Sequence, residues 1–267
     1  MILEEIARRT RDRIEDRKRR QPIAELRAMA ADMPRHRGPE EYPFERALAR
    51  PGMSFICEVK KASPSKGVIA ADFPYVEIAK EYQQAGADAI SVLTEPYYFQ
   101  GSNAYLEEIR DAVSLPLLRK DFTVDEYMLY EAKVIGADAV LLIGAILSGE
   151  QLREYAEIAG ELGMSALVEA HDEREAQMAI EAGARIIGVN NRNLKDFTVD
   201  LDNSLRLREL IPRDILFVSE SGMKTRRDIA RLEANGTDAV LIGETLMRSA
   251  DKKRMLAELA GEEFLTD

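Results

Sequence analysis

One pattern of apolar and polar positions recurs along the chain. An amphipathic stretch ends in glycine, and a short aliphatic or β-branched run follows at once. The copies read "AGADAISVLTE" from Ala85, "IGADAVLLIGA" from Ile135, "AGARIIGVNNR" from Ala182 and "NGTDAVLIGET" from Asn235, a period of about fifty residues. Glycine suits the left-handed C-cap of a helix, so each copy predicts a helix end followed by a strand. Four further apolar runs lie between the copies, at 55–60, 115–120, 165–169 and 215–219, each followed by a helical pattern. Nearly continuous hydrophobic runs indicate parallel strands covered on both faces. Eight such units in about 200 residues predict a (β/α)8 TIM barrel. An open doubly wound sheet also alternates strand and helix, but its edge and central strands are unequal. No GxGxxG follows the first run, which weakens a dinucleotide-binding sheet further.

Residues 1–50 stand outside the repeat. Ile2, Leu3, Ile6 and Ile14 form a sparse helical stripe, and Pro22 is placed to open a second helix. The expected organisation is one barrel domain over 1–267, with 1–50 an N-terminal helical extension packed on it. The many Arg and Lys residues of the extension read as a solvated face balanced by Glu and Asp.

Composition narrows the classes of partner. The 37 Lys and Arg against 48 Asp and Glu leave a net charge of −11, which disfavours nucleic acid and anionic membrane surfaces. The longest strongly apolar run, 139–147, falls short of the roughly 18 residues of a membrane span. Glu4 and Glu5 near the start fit neither a signal nor a transit peptide, so a cytoplasmic protein is expected. The single cysteine, Cys57, excludes an internal disulfide and a cysteine zinc cage.

In a barrel of this kind chemistry gathers at the C-terminal ends of the strands. Those positions hold Glu58 and Lys60, Lys120, Glu169, Asn190 and Arg192, and Glu220 with Ser221. Glu58 and Lys60 are two apart and so point to the same side. His36 lies in a Pro-flanked connection and His171 just past Glu169 in an expected loop or cap, which leaves proton transfer to Lys and Glu. Cys57 has the opposite parity to Glu58 and should face the helices. Gly222 in "SESGMKT" and Gly243 in "LIGETLM" permit close backbone approach and suggest a phosphate site, with Glu244 beside the second. No metal-ligand set or dinucleotide fingerprint is legible, so neither a metal nor an organic cofactor is expected.

"CEVKKASPSKG", "SVLTEPYYFQGS", "LLRKDF", "LVEAHDE", "GVNNRNL", "SESG" and "LIGETLMR" occur in that order. In this combination the chain closely resembles the indole-3-glycerol phosphate synthases, over essentially its full length. The resemblance implies a decarboxylating lyase that closes the ring of 1-(2-carboxyphenylamino)-1-deoxyribulose 5-phosphate, releasing carbon dioxide and water. It implies Lys120 as the cationic proton donor to the ribulose carbonyl oxygen and Lys60 as partner of the substrate carboxylate. Glu169 and Glu58 match the acid and base groups of the elimination; whether Lys60 or Glu169 protonates the leaving hydroxyl stays open. Asn190 and Arg192 match substrate-orienting residues, and Ser63, Glu220, Ser221, Gly222 and Gly243 match substrate or phosphate contacts. Many relatives carry a small hydroxyl residue at the position of Glu244. Phe99 and Phe122 are candidates to stack on the anthranilate ring, and "KKASPSKGVIA" reads as a mobile loop without a packed face. Two other readings are phosphoribosylanthranilate isomerase, which uses a strand-one cysteine with an aspartate, and a non-catalytic phosphate-ligand-binding barrel. A pure binder has no need of Lys60, Lys120 and Glu169 together.

Overall fold

The computed structural model describes residues 2–35, 41–193 and 196–262; His36 lies outside them. Eight parallel strands close into a barrel: β1 (Ser54–Val59), β4 (Ala89–Leu93), β5 (Leu117–Lys120), β6 (Ala139–Ile143), β7 (Ser165–Ala170), β8 (Ile186–Asn190), β9 (Leu216–Glu220) and β10 (Ala239–Ile242). Each neighbours the next around the ring, and β10 pairs with β1 to complete it. The expected (β/α)8 barrel is therefore present, and the open sheet is not. Between β1 and β4, the segment read as a mobile loop without a packed face contains a small antiparallel hairpin, β2 (Ala62–Ser63) and β3 (Gly67–Val68). Its first strand is buried, because Ala62 and Ser63 turn back against the barrel mouth.

Strand alternation divides the core into two layers. Ile56, Leu118, Leu141, Leu167, Val218 and Leu241 fill the barrel interior. Their neighbours, such as Cys57, Val140, Val168, Phe217 and Val240, meet the helices outside. Cys57 faces that outer layer, where burial pushes its thiol well above the usual range.

The start of each repeated segment has a physical function at its seam. The glycines have positive φ, from 78° at Gly236 to 92° at Gly86, so the chain turns straight from helix to strand. The aspartates then tie adjacent strands together at their N-terminal ends. Asp88, Asp138 and Asp238 accept the backbone N–H of Phe55, Leu117 and Phe217 at 2.9, 2.8 and 2.8 Å. Arg185 takes the place of aspartate in the third copy and pairs outward with Glu45 at 2.8 Å.

The N-terminal helices are α1 (Ile2–Arg20), α2 (Ile23–Asp32) and α3 (Pro43–Leu48). Phe44 and Leu48 of α3 join the interior core, and Ser54 at the start of β1 donates to Ala47 O at 3.1 Å. α3 thus plugs the N-terminal end of the barrel. α1 lies at the other end, and its basic residues are not all solvated as expected. Arg13 is buried against Asp121 at 2.9 Å, Arg17 pairs with Glu131, and Lys18 reaches Asp125 at 2.6 Å. Asp121, Asp125 and Glu131 all follow β5, so the charge pattern is a docking surface for α1 and not a free face. Among the described residues, no helix is long and apolar enough to cross a membrane.

The outer helices are α4 (Tyr75–Gln84), α5 (Asn103–Ala112), α6 (Tyr127–Val134), α7 (Gly149–Glu161), α8 (Glu173–Glu181), α9 (Asp202–Arg208), α10 (Arg226–Ala234), α11 (Glu244–Met247) and α12 (Lys252–Ala260). Several start on side-chain caps, including capping boxes Ser148 with Gln151 and Thr225 with Asp228.

Candidate active site

A cavity of about 850 Å³ opens at the C-terminal ends of the strands. All fourteen residues singled out from the sequence as site residues line it, from Glu58 on β1 to Glu244 after β10. Its rim also includes Ile2, Leu3 and Ile6 of α1, which sequence reasoning assigned only to a packing stripe.

Lys120, at the end of β5, stands at the centre. Its Nζ lies 3.2 Å from Glu169 Oε2 and 3.3 Å from Glu220 Oε2. Burial opposes its charge, but Glu220, Glu169 and Glu58 outweigh that and raise its pKa, so it is cationic at any physiological pH. The two carboxylates that share this ammonium differ. Burial pushes Glu169 up, yet Lys120 and His171 hold it below the ordinary carboxylate value. For Glu220 burial wins, helped by repulsion from Glu169 and Glu58, and its pKa rises from 4.5 to about 7. Its Oε1 is buried without a hydrogen-bond partner, pointing at Gly188 of β8, where a Cβ would collide with it.

Glu58 and Lys60 point to the same side at the end of β1, as their spacing predicted, and there they form an ion pair. Gly243 makes room for that pair: a Cβ there would fall 2.9 Å from Lys60 Nζ and closer still to Glu58. The glycine read from the sequence as a phosphate contact therefore also sets how closely β1's charges approach β10. Phe99 and Phe122 face each other across the rim, ring centroids 6.1 Å apart. Phe99 is held by a residue that sequence reasoning passed over. Glu95, wholly buried, accepts the backbone N–H groups of Tyr97, Tyr98 and Phe99 at 3.0, 2.7 and 3.0 Å. A carboxylate two residues after an apolar strand, just before "PYYF", was the only signal available.

A second polar group lies beside Gly222 and Gly243. The chain leaves β9 through two left-handed residues, Ser221 at φ 67° and Gly222 at φ 96°. Asn191 Nδ2 donates to Ser221 O at 3.1 Å and to Ser219 Oγ at 2.9 Å, which holds this bend. Left-handed backbone at a non-glycine residue is sparsely populated and is kept where surroundings enforce it. Glu244 receives three cations: Lys66 at 3.4 Å, Arg192 at 3.8 Å and Arg248 at 3.2 Å. Lys66 and Arg248 stood inside quoted motifs without a role; Arg248 reaches Glu244 through their i,i+4 spacing, and only the fold brings Lys66 there. Asn190 accepts the N–H of Arg192 at 3.0 Å, and Ser63 meets Ser65 in the hairpin at 3.4 Å.

His171 lies in the expected place, the bend between β7 and the N-cap of α8, where Glu175 accepts its backbone N–H at 3.0 Å, but its side chain does more than cap. Its half-buried ring lies 3.4 Å from Glu169 and 3.2 Å from Glu175. Among the described residues, no cluster of three or more His, Cys, Asp or Glu is arranged to hold a metal ion.

Comparison with known proteins gives a consistent picture. The sequence profile of one family, described as indole-3-glycerol phosphate synthase, matches residues 3–259. The chain is 56% identical over 261 residues to an indole-3-glycerol phosphate synthase of Ruminiclostridium cellulolyticum, covering 98% of this chain and 99% of that one. It is 54% identical to the protein of the same name from Lacticaseibacillus paracasei, covering 96% and 98%. Among solved structures it resembles 3-hexulose-6-phosphate synthase from Salmonella typhimurium with a TM-score of 0.65 at 15% identity, over 78% of this chain and 97% of that one. At that identity the likeness speaks for the barrel alone.

Proposed function

The chain belongs to the indole-3-glycerol phosphate synthase family, and on that premise we propose how its residues divide the work of a decarboxylating lyase. The reaction converts 1-(2-carboxyphenylamino)-1-deoxyribulose 5-phosphate into indole-3-glycerol phosphate, carbon dioxide and water. Ring closure puts negative charge on the ribulose carbonyl oxygen. Lys120, a buried ammonium kept charged by Glu169 and Glu220, is the group to donate a proton there. Lys60 faces the substrate carboxylate until it leaves, exchanging its pairing with Glu58 for one with the ligand.

Elimination then needs a base and an acid. The depressed pKa of Glu169 keeps it ionised and so able to accept a proton, with Glu58 as the second carboxylate, and Lys60 is then the donor to the departing hydroxyl. Asn190 and Arg192 orient sugar hydroxyls, and Ser63 and Ser221 add contacts. The phosphate sits at Gly222 and Gly243, where Lys66, Arg192 and Arg248 gather around Glu244. Phe99 and Phe122 enclose the anthranilate ring. The partner is this small anionic substrate, and the cytoplasmic setting expected from the sequence is retained as part of the proposal.

The observation that carries this reading is Lys120 held between two buried carboxylates at the mouth of the barrel. Its contribution grows with charge that develops only in the transition state, so its loss should fall on turnover and not on affinity. Lys120→Met should lower kcat by about 10²–10⁴-fold, the usual worth of general acid catalysis, with KM little changed. Fluorescence of the indole product follows the rate, and circular dichroism checks the fold. Near-normal turnover in a folded variant refutes the role.

A further inference from the structure

We propose that His171 is a positioning residue for Glu169: charged and wedged between Glu169 and Glu175, it holds one oxygen of the Glu169 carboxylate so that the other faces Lys120. The proposal rests on the reading of Glu169 as a base and deepens it. The two oxygens of Glu169 are divided between two cations. Oε2 lies 3.2 Å from Lys120 Nζ, and Oε1 lies 3.4 Å from His171 Nε2. The second is a charge contact and not an aligned hydrogen bond, since Nε2 otherwise has no hydrogen-bond partner.

The far side of the imidazole is anchored. Nδ1 lies 3.2 Å from Glu175 Oε2, and the same oxygen accepts the backbone N–H of His171 at 3.0 Å. Glu175 is itself fixed in the first turn of α8, its N–H donating to the capping Asp172 Oδ1 at 2.8 Å. From α9, Asn203 donates to His171 O at 3.1 Å. Ring and carboxylate are thus positioned by helix starts and not by substrate.

The charges facing His171 favour its protonated form. β7 supplies Glu169, α8 supplies Glu175, and β9 adds Glu220 at longer range; the cations nearby are Lys120 of β5 and Arg174, which lies 3.5 Å from Glu175. Burial opposes the imidazolium, but Glu175, Glu169 and Glu220 outweigh it and raise its pKa above 6.5. A cation behind Glu169 has two effects. It stops the carboxylate from turning away from Lys120, and it keeps Glu169 ionised to lower pH than Lys120 alone would.

The chain has two histidines, so a single His171→Asn spectrum assigns both imidazoles by NMR. In the otherwise unaltered protein His171 should titrate above the ordinary histidine value. Glu169→Gln and Glu175→Gln should each lower it by about one unit, the usual effect of removing one close opposite charge. In kinetics, His171→Asn should move the acid limb of the kcat/KM profile up by about one pH unit, whereas a merely structural role would scale the whole profile without moving the limb. Glu175→Gln should move it the same way by less. His171 titrating alike in all three proteins, or a His171→Asn profile that is only scaled down, overturns the proposal. Undiminished turnover in Glu169→Gln would instead sink the base role of Glu169 while the NMR titrations still judged the contact.

Discussion

Glu169 and Glu220 touch the same ammonium, yet only one is kept ionised by it. Glu169 has a second cation behind it, while Glu220 has an orphaned oxygen aimed at Gly188. The difference makes a stability prediction. A carboxyl whose pKa is raised on folding binds more protons folded than unfolded, so its ionisation subtracts stability as pH rises from about 4.5 to about 7. Glu220→Gln removes that loss. Relative to the unaltered protein, it should gain on the order of 2 kcal/mol between about pH 5 and about pH 8, read from urea midpoints at the two pH values. Curves that stay parallel would mean that Glu220 is ionised normally. Catalysis should fall in the same variant, as expected where a functional site holds a group at a cost to folding.

At the scale of elements, the barrel is closed by seams that reuse one chemical device. Asp138 accepts the N–H of Leu117 at 2.8 Å and pairs with Arg110 at 2.8 Å, tying β5, β6 and α5 at the end away from the site. Asp138→Ala leaves a buried donor and a guanidinium short of their acceptor, and should cost about 2 kcal/mol in chemical denaturation. The expected signature is lost stability with KM unchanged, because nothing at the cavity moves. The seam between β1 and β10 behaves oppositely, since Gly243 leaves the space that Glu58 and Lys60 occupy. Gly243→Ala should displace that pair and lower kcat by about 10²-fold, the scale of an ångström's misplacement, as well as raising KM through the phosphate. A rise in KM with kcat intact would mean that the glycine serves the phosphate alone.

For the molecule as a whole, α1 joins the rim of the cavity to the barrel wall. Arg13 is buried beside Asp121, which sits between Lys120 and Phe122 and also accepts from Thr94 Oγ1 at 2.8 Å. Burial pushes Asp121 up, but Arg13 and Arg119 outweigh it and leave it below the usual value. Its pairing therefore adds stability above an ordinary aspartate pKa, and that stability is lost as pH falls through the lower folded value. Removing one member of a buried pair costs about 3–5 kcal/mol. Arg13→Ala should shift unfolding by about that much at neutral pH, with a smaller difference in acid, and should weaken catalysis through Lys120 and Phe122. We propose further that extension and barrel unfold as one unit. Two separated transitions, by fluorescence and circular dichroism, would divide them.

Periodicity alone determined the barrel: eight buried parallel strands need near-continuous apolar runs, and helix-ending glycines before them mark the period. Strand parity then sorted Cys57 outward and Glu58 with Lys60 inward, because successive side chains alternate faces. The motifs were legible because each lies at a strand end, where one side chain's direction follows from backbone geometry. What tertiary structure decided were meetings across the ring. The i,i+4 spacing brings Glu175 to His171 and Arg248 to Glu244, but no local rule turns His171 onto Glu169, brings Lys66 to Glu244, or buries Arg13 of α1 on Asp121. Each involves either a helix-start side chain folding back or partners far apart in the chain. Their charges read locally as solvated, and only the closed ring with α1 laid across its mouth makes them buried pairs. The same separation governs pKa: Glu169 and Glu220 are both strand-end glutamates in the sequence, and the neighbours supplied by other elements make one acidic and the other nearly neutral.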